Sequence, residues 1–223
     1  MDWTHHIDAY CERTDPTYWS EPINAITNAA FLIAALLMWR RCAGFVWGRA
    51  LAVILGMIGL GSYLFHTHAT PWAAALDVAP IMMFSLLYIF LANRDFWGWN
   101  WWLSTLGAAA YIPYSMALTP VFEALPFFEI SSFYWPLPLL IFAYAILLRH
   151  RAPHTARNLA IGAAILCVSL TARSVDEPFC AALPLGTHFL WHILNALMLG
   201  WMIETWRRHE ASSWQKNSGE HEG

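Results

Sequence analysis

Residues 49–66, RALAVILGMIGLGSYLFH, form an apolar run with one charged residue, Arg49, at its start and the pair Ser62-x-x-x-His66 at its end. A helix that crosses the hydrocarbon core of a bilayer needs roughly 20 mostly apolar residues. Six more segments of this kind lie along the chain, at 22–39, 73–92, 98–118, 131–149, 156–173 and 187–206. The sequence therefore predicts an all-α integral membrane bundle of seven transmembrane helices.

The composition of the chain excludes an ordinary soluble domain. Of its 223 residues, 58% are hydrophobic and only 12% are charged, against about 45–50% and about 25% in soluble proteins. Seven spans with short loops use nearly the whole length, so we expect one membrane domain over residues 1–206, with an outer amino-terminal segment at 1–21 and a polar tail at 207–223. The net charge of −3 offers no basic surface, and no nucleic-acid partner is expected.

The distribution of Lys and Arg predicts the orientation, because cytoplasmic loops carry the excess of these residues. Counted across seven spans, only Arg13 and Arg173 fall on one side. Ten residues fall on the other side: Arg40, Arg41, Arg49, Arg94, Arg149, Arg151, Arg157, Arg207, Arg208 and Lys216. The amino terminus is therefore expected outside, in the periplasm or an equivalent lumen, and the carboxyl-terminal tail in the cytoplasm.

Polar residues inside the predicted spans gather at one end. Ser62 and His66 close the second span, Asp77 lies near the start of the third, and His188-x-x-x-His192 opens the seventh. On the predicted orientation, all of them lie toward the outer leaflet. Polar and ionisable groups within a span are costly, and they commonly face the bundle interior and mark function.

The spacing of these residues favours a metal site. His188 and His192 are four apart and share one helix face, and His66 can add a third nitrogen. Three imidazoles with a fourth position for water are the pattern of catalytic zinc. Ser62 precedes His66 by four residues and faces the same way. The Asp77 carboxylate can balance the charge of the metal and accept a proton from the water.

Each of these residues also has a simpler interpretation. A single histidine in a span, such as His66, commonly serves as a hydrogen-bonded packing residue. The His188/His192 pair, taken alone, indicates a metal site about as often as it does not. Ser62, beside glycines, is typical of close helix packing. Asp77 alone would suit a proton path. Their convergence at one membrane depth is what favours the joint interpretation.

The pattern resembles a known family. Ser62-x-x-x-His66, then Asp77 eleven residues after that histidine, then His188-x-x-x-His192 in the last span, is similar to the alkaline ceramidases. It is also similar to the wider superfamily of seven-span hydrolases that includes the progestin and adiponectin receptors. The resemblance covers the whole chain. It implies zinc held by three histidines, with Ser62 and Asp77 around the reacting water, and hydrolysis of an amide bond in a lipid.

The same resemblance implies two features of the outer side. It implies a disulfide between Cys11 and Cys180, which the predicted topology permits because both lie on the oxidising side; two free thiols are the alternative. It also implies a calcium ion, Ca²⁺, in the amino-terminal segment, with the oxygen ligands that calcium prefers supplied by Asp8, Glu12, Asp15, Glu21 and Asn24. An acidic, solvated segment is the competing interpretation.

We therefore expect a Zn²⁺-dependent hydrolase of N-acyl lipids in the membrane, with ceramide cleaved to a sphingoid base and a fatty acid product. Met57, Met82, Met83 and Phe84 are candidates to line the acyl chain, with ordinary core packing as their alternative. A zinc-containing seven-helix lipid receptor or binding protein without significant turnover is the alternative function. A proton-coupled transporter is a third, less favoured because the sequence shows no paired half-repeats.

Overall fold

The computed structural model describes residues 2–219, with side chains for residues 2–214. Within that range the chain is helical over most of its length, at 74%, and contains no strand. This confirms the predicted all-α class. The nine α-helices are α1 (Pro22–Thr27), α2 (Ala29–Arg41), α3 (Val46–His68), α4 (Pro71–Leu91), α5 (Trp101–Ala109), α6 (Tyr111–Glu123), α7 (Pro136–Leu148), α8 (Pro153–Ser174) and α9 (His188–Gly219). A π-helical turn at Ala92–Phe96 extends α4, and short 3₁₀ turns lie at Glu129–Ser131 and Glu177–Phe179.

Four helical stretches of the described chain are long and apolar enough to cross a membrane. They are Pro22–Arg41, Val46–His68, Pro71–Phe96 and Pro153–Ser174. They coincide with four of the seven predicted segments, so the structure indicates a membrane protein. The full count of seven spans stays a prediction.

Two predicted segments differ in form from single long helices. The segment 98–118 is divided at Ala110 into α5 and α6. Pro113 lies just after this break and has no N–H to continue the helical hydrogen bonds. In the segment 131–149 the α-helix begins at Pro136. Proline is common at the first position of a helix, because its fixed φ suits the helix and its missing N–H would have no partner there.

The last helix is longer than the predicted span. α9 continues beyond Trp206 to Gly219, so residues 207–219 of the predicted polar tail are helical, and residues 220–223 lie outside the described range. Glu204 binds Arg207 and Arg208, three and four residues later, at 2.8 and 2.7 Å. Such pairs stabilise a polar helix.

The close pairing of α3 and α4 positions the polar residues at one end of the bundle. The two helices contact each other along their length, and α3 also packs against α2. At Gly61 the approach is so close that a Cβ atom would lie 2.0 Å from the Leu76 carbonyl oxygen and 3.2 Å from Asp77 Cα. Gly61 therefore brings the start of α4 beside Ser62 and His66. On the other side of the molecule, α8 packs against α7 and α9, and α9 contacts α2.

Candidate metal centre

Three histidines meet where the end of α3 approaches the start of α9. His66, His188 and His192 are almost fully buried, with exposed fractions of 1%, 2% and 0%. One ligand nitrogen from each lies within 4.8 Å of the others, and Nε2 of His66 lies 3.0 Å from Nε2 of His192. Zinc with Zn–N bonds of about 2.0–2.1 Å in a tetrahedron requires nitrogens about 3.4 Å apart. The three nitrogens therefore lie close enough together for small side-chain adjustments to place them around one metal ion.

The outer nitrogens of two of these rings are held by partners from the amino-terminal part of the chain. His66 Nδ1 lies 2.6 Å from the Glu21 carboxylate, which can only accept, so Nδ1 carries the proton. His192 Nδ1 lies 2.9 Å from the Thr27 hydroxyl, which already lies 2.7 Å from the Ile23 carbonyl as a donor. Nδ1 of His192 is therefore the donor in that contact.

This proton assignment leaves two lone pairs facing each other. Because the Nδ1–H group of each ring donates to its outer partner, Nε2 of both His66 and His192 carries a lone pair and no proton. A cation bound between the two Nε2 atoms would use both lone pairs. Anchoring of the second ring nitrogen is the usual way in which proteins orient a histidine ligand. The residues present therefore fit a metal ion, and the donor set is three neutral imidazoles.

His188 is held differently from the other two histidines. Its ring stacks on Tyr10, with centroids 3.7 Å apart and planes inclined by 26°, while its Nδ1 has no hydrogen-bond partner among the described residues. The Asp176 carboxylate accepts from the backbone N–H groups of Thr187 and His188 at 2.6 and 2.8 Å. This carboxylate therefore caps α9 at the residue where the ligand pair begins.

Ser62 and Asp77 lie beside the histidine cluster, where the sequence analysis expected them. Ser62 is buried, with 4% of its surface exposed. Asp77 lies beside Ser62 and within electrostatic range of His66. The structure thus brings a carboxylate and a hydroxyl to the three imidazoles. Phe65 and Phe31 contribute apolar walls, with ring contacts to His66 and His192.

Two residues that were not predicted to take part in the site lie beside it, Tyr10 and Arg173. Tyr10 packs on His188, and its hydroxyl lies within electrostatic range of Arg173. Burial raises the pKa of this hydroxyl, so Tyr10 keeps its proton. The Arg173 guanidinium lies 5.4 Å from the Tyr134 ring centre and 2.7 Å from the Ile130 carbonyl oxygen. One signal was available: an arginine inside an apolar segment indicates a functional position.

The predicted disulfide is present. Cys11 and Cys180 are bonded across a sequence separation of 169 residues, and the Cys11 N–H donates to Asp176 at 3.0 Å. Gly186 lies in the loop before α9 with φ +67°, a conformation that favours glycine. A Cβ atom at this position would also lie 2.1 Å from the Asp176 carboxylate, so the close contact requires glycine. The disulfide and Asp176 thus tie the amino-terminal segment to the start of α9.

Three of the five residues expected to bind calcium lie together, because Asn24 donates its backbone N–H to Glu12 and its side-chain amide to Glu21. Asp8 and Asp15 are exposed, and Asp15 accepts from the backbone and hydroxyl of Thr17. The two Glu12 oxygens accept from the N–H groups of Ile23 and Asn24 at 2.7 and 2.8 Å. Glu21 contacts His66. In the described part of the chain, only the three histidines form a cluster of at least three His, Cys, Asp or Glu side chains able to share a metal.

Comparisons with known proteins do not assign this chain to a family. No protein-family model matches the chain, and no curated protein matches it at a significant level. The resemblance to alkaline ceramidases rests on the residue pattern and stays a prediction. What the structure establishes at this site is coarser: a buried histidine cluster able to hold a metal ion, close to a carboxylate and a hydroxyl. The described chain is all-helical, and four of its helical stretches are long and apolar enough to cross a membrane.

Proposed function

We propose that this protein is a zinc-dependent amidase of the membrane that hydrolyses N-acyl lipids, with ceramide as the substrate class that its residue pattern implies. The single observation that carries the proposal is the pairing of the histidine cluster with Asp77 and Ser62. A purely structural metal site has no need of a neighbouring carboxylate and hydroxyl, whereas amide hydrolysis needs a proton acceptor and an oxyanion donor.

The donor set favours zinc over other divalent metals. Imidazole nitrogens suit Zn, Cu, Fe and Ni, whereas Mg and Ca prefer oxygen ligands. Three protein ligands are the usual number at a hydrolytic zinc centre. Bound at His66, His188 and His192, zinc would supply the acidity that makes water a nucleophile near pH 7.

The side chains around the cluster divide the remaining chemistry between them. Asp77 accepts the proton of the attacking water and returns it to the leaving amine, so that the C–N bond breaks with the amine neutral. Ser62 donates a hydrogen bond to the carbonyl oxygen as negative charge develops on it. Glu21 and Thr27 keep the His66 and His192 rings in place. The buried position of the site excludes bulk water.

We assign the acyl chain to a narrow apolar cleft near the site. It lies between α4, α7, α8 and α9, and its lining includes Phe84, Tyr88, Leu140, Leu159, Met198 and Met202. Phe84 follows Asp77 by seven residues on α4, about 10 Å along the helix axis. Of the four residues predicted to line an acyl chain, Phe84 is at this cleft, whereas Met57 and Met83 are 44% and 47% exposed on the outer face of the bundle. Met82 borders a different groove.

We further propose seven spans, with the site toward the outer side. Support comes from the two arginines predicted to lie on that side, because neither is a free loop charge. Arg13 is buried and paired with Glu21 at 2.6 Å, and Arg173 contacts Ile130 and Ser131. With both engaged near the site, the seven-span topology assigns the ten remaining basic residues to the opposite side, and such an excess is typical of a cytoplasmic face.

The test combines zinc analysis with lipid turnover on the purified protein. We expect one zinc per chain by elemental analysis, and release of fatty acid from an N-acyl lipid, followed by mass spectrometry, that stops on chelation and returns with zinc. His188→Ala should lose both zinc and turnover. His154→Ala, which removes an exposed histidine, should keep both.

Two outcomes contradict parts of this proposal. Full zinc occupancy in His188→Ala overturns the ligand set. A protein that binds zinc and lipid but turns over none of the N-acyl lipids offered overturns the amidase and favours the receptor or binding protein.

A further inference from the structure

Arg13 lies among the residues for which the family resemblance implies a calcium ion. Its guanidinium is buried, with 7% of the residue exposed, and it contacts oxygens from three parts of the chain. Nε lies 2.6 Å from Glu21 Oε1, Nη1 lies 3.2 Å from the Asp15 carbonyl, and Nη2 lies 2.9 Å from the His66 carbonyl. One carboxylate and two carbonyls form an oxygen set of the kind that calcium binds.

The acidic side chains expected to hold calcium already have N–H partners. Both Glu12 oxygens accept from the start of α1. Glu21 accepts from Arg13 through one oxygen, while the other lies 2.6 Å from His66 Nδ1 and 3.1 Å from Asn24 Nδ2. A calcium ion takes six to eight oxygen ligands. The residues present therefore do not fit calcium: the Glu12 and Glu21 oxygens are engaged, and among the five expected ligands Asn24 alone offers a buried side-chain oxygen without a partner.

Arg13 and Glu21 act on the same histidine from two directions. Arg13 binds the His66 backbone carbonyl, and Glu21 binds the His66 ring. A guanidinium keeps its charge at every physiological pH and presents five N–H donors in a rigid fork. A buried charge of this kind is tolerated when it is paired and its donors are used, and the three contacts of Arg13 meet that requirement.

We propose that Arg13 is a built-in cation that replaces calcium in this protein. It fastens the amino-terminal segment over the metal centre without a divalent ion, and through Glu21 it sets the orientation of the His66 ring. Arg13 is thus a positioning residue. The inference rests on the proposed function only in taking His66 as a zinc ligand.

The first experiment tests whether calcium is needed. The purified full chain is stripped with a chelator, reloaded with zinc alone, and unfolded thermally with and without ~10 mM CaCl₂, above the range in which extracellular calcium modules bind. We expect the same Tm in both conditions. A ligand that binds only the folded state raises Tm, so a saturable rise with CaCl₂ and not with MgCl₂ overturns the proposal.

The second experiment tests positioning by measuring zinc affinity in competition with a chelating dye. Loss of a residue that orients a ligand typically costs 10–100-fold in metal affinity, and we expect a loss of about this size in Arg13→Gln. Arg13→Lys should fall between this variant and wild type, because an ammonium keeps the charge but cannot reach all three oxygens. Arg41→Gln is the control: it removes an arginine that binds Glu204, away from the histidines, and should keep wild-type affinity.

A merely structural ion pair predicts a different result. Arg13→Gln would then lower Tm while keeping the zinc affinity of Arg41→Gln, which overturns the positioning role. Should Arg13→Gln fail to fold, Arg13→Lys carries the comparison, and wild-type affinity in that variant has the same meaning. Absence of lipid turnover changes none of these readouts. Absence of zinc from the wild-type protein overturns the proposed function and leaves the calcium titration as the test of the built-in cation.

Discussion

At the scale of single residues, each of the three histidine rings is held by a different kind of contact. His66 is fixed by a carboxylate, His192 by a hydroxyl, and His188 by ring stacking on Tyr10. The Glu21 carboxylate contacts a histidine ligand and not the metal position, and its negative charge would offset part of the positive charge of a bound metal. Asp77 differs from Glu21, because it interacts electrostatically with Ser62, His66 and Arg173 and does not anchor a histidine ring nitrogen.

We predict that Asp77→Asn abolishes amide hydrolysis while leaving zinc in place. Asparagine is nearly isosteric and still hydrogen-bonds water, but it cannot accept a proton at neutral pH. General base catalysis contributes about 10²–10⁴-fold to the rate, so the loss should fall in that range. The measurement is the initial rate of fatty acid release, together with the zinc content of the same sample.

The comparison for this prediction is Ser62→Ala. It removes the oxyanion donor but leaves the proton acceptor, and we expect a smaller loss than in Asp77→Asn because bound zinc also stabilises the oxyanion. Hydrolysis by Asp77→Asn at the parent rate, with normal zinc content, would show that the carboxylate is structural and that the proposed mechanism is wrong.

At the scale of helices, the site depends on how closely α3 and α4 approach. Ser62 and His66 lie on α3 and Asp77 lies on α4, so the carboxylate reaches the histidines only if the backbones nearly touch. Small residues permit this approach in membrane bundles, and Gly61 is the residue at the contact. Packing of the helix backbones therefore sets the distance between the proton acceptor and the metal ligands.

We predict that Gly61→Ala is destabilising and Gly56→Ala is not. A Cβ at Gly61 would lie 2.0 Å from a backbone oxygen, whereas a Cβ at Gly56 meets nothing closer than the Ala35 side chain at 3.7 Å. Overpacking of this kind costs about 1–3 kcal/mol, while Gly→Ala in a helix with room gains about 0.5–1 kcal/mol. Thermal unfolding of both variants in one detergent checks the sign of each change. Equal Tm values would contradict the close approach.

At the scale of the whole molecule, the amino-terminal segment covers the metal centre and is attached at several points. The Cys11–Cys180 disulfide joins it to the loop before α9, Arg13 joins it to the end of α3, and Glu12 caps α1. Ile7 N–H also binds the Ala69 carbonyl at 2.8 Å. The segment thus links the first, middle and last parts of the chain around the three histidines.

We predict that removing this disulfide lowers the stability of the folded protein. Removal of a native disulfide typically costs about 2–5 kcal/mol, and more for long loops; this loop closes over a separation of 169 residues. Thermal unfolding of the Cys11→Ser/Cys180→Ser double variant should therefore show a lower Tm. Cys167→Ser is the control, because Cys167 is a free thiol. Peptide mapping without reductant should recover Cys11 and Cys180 as one linked species, and recovery of both as alkylatable thiols would disprove the bond.

The amino-acid sequence by itself determined the all-helical class of the protein and pointed to the three histidines that cluster in the structure. Apolar runs of span length predict helices because the bilayer core demands internally satisfied backbones, and all seven predicted segments contain helix in the structure. The i, i+4 spacing of His188 and His192 places them on one face in any α-helix. These are local rules, and they do not depend on how the helices pack.

Only the tertiary structure decided what surrounds the histidines. Glu21 and Thr27 reach His66 and His192 across 45 and 165 residues, and no spacing rule links positions so far apart. The same holds for Arg13, which counted in the sequence as one outer charge and is in fact buried against Glu21 and His66. A buried ion pair forms only where folding removes both partners from water together, so the role of Arg13 depends on three-dimensional packing that the linear pattern of charges does not contain.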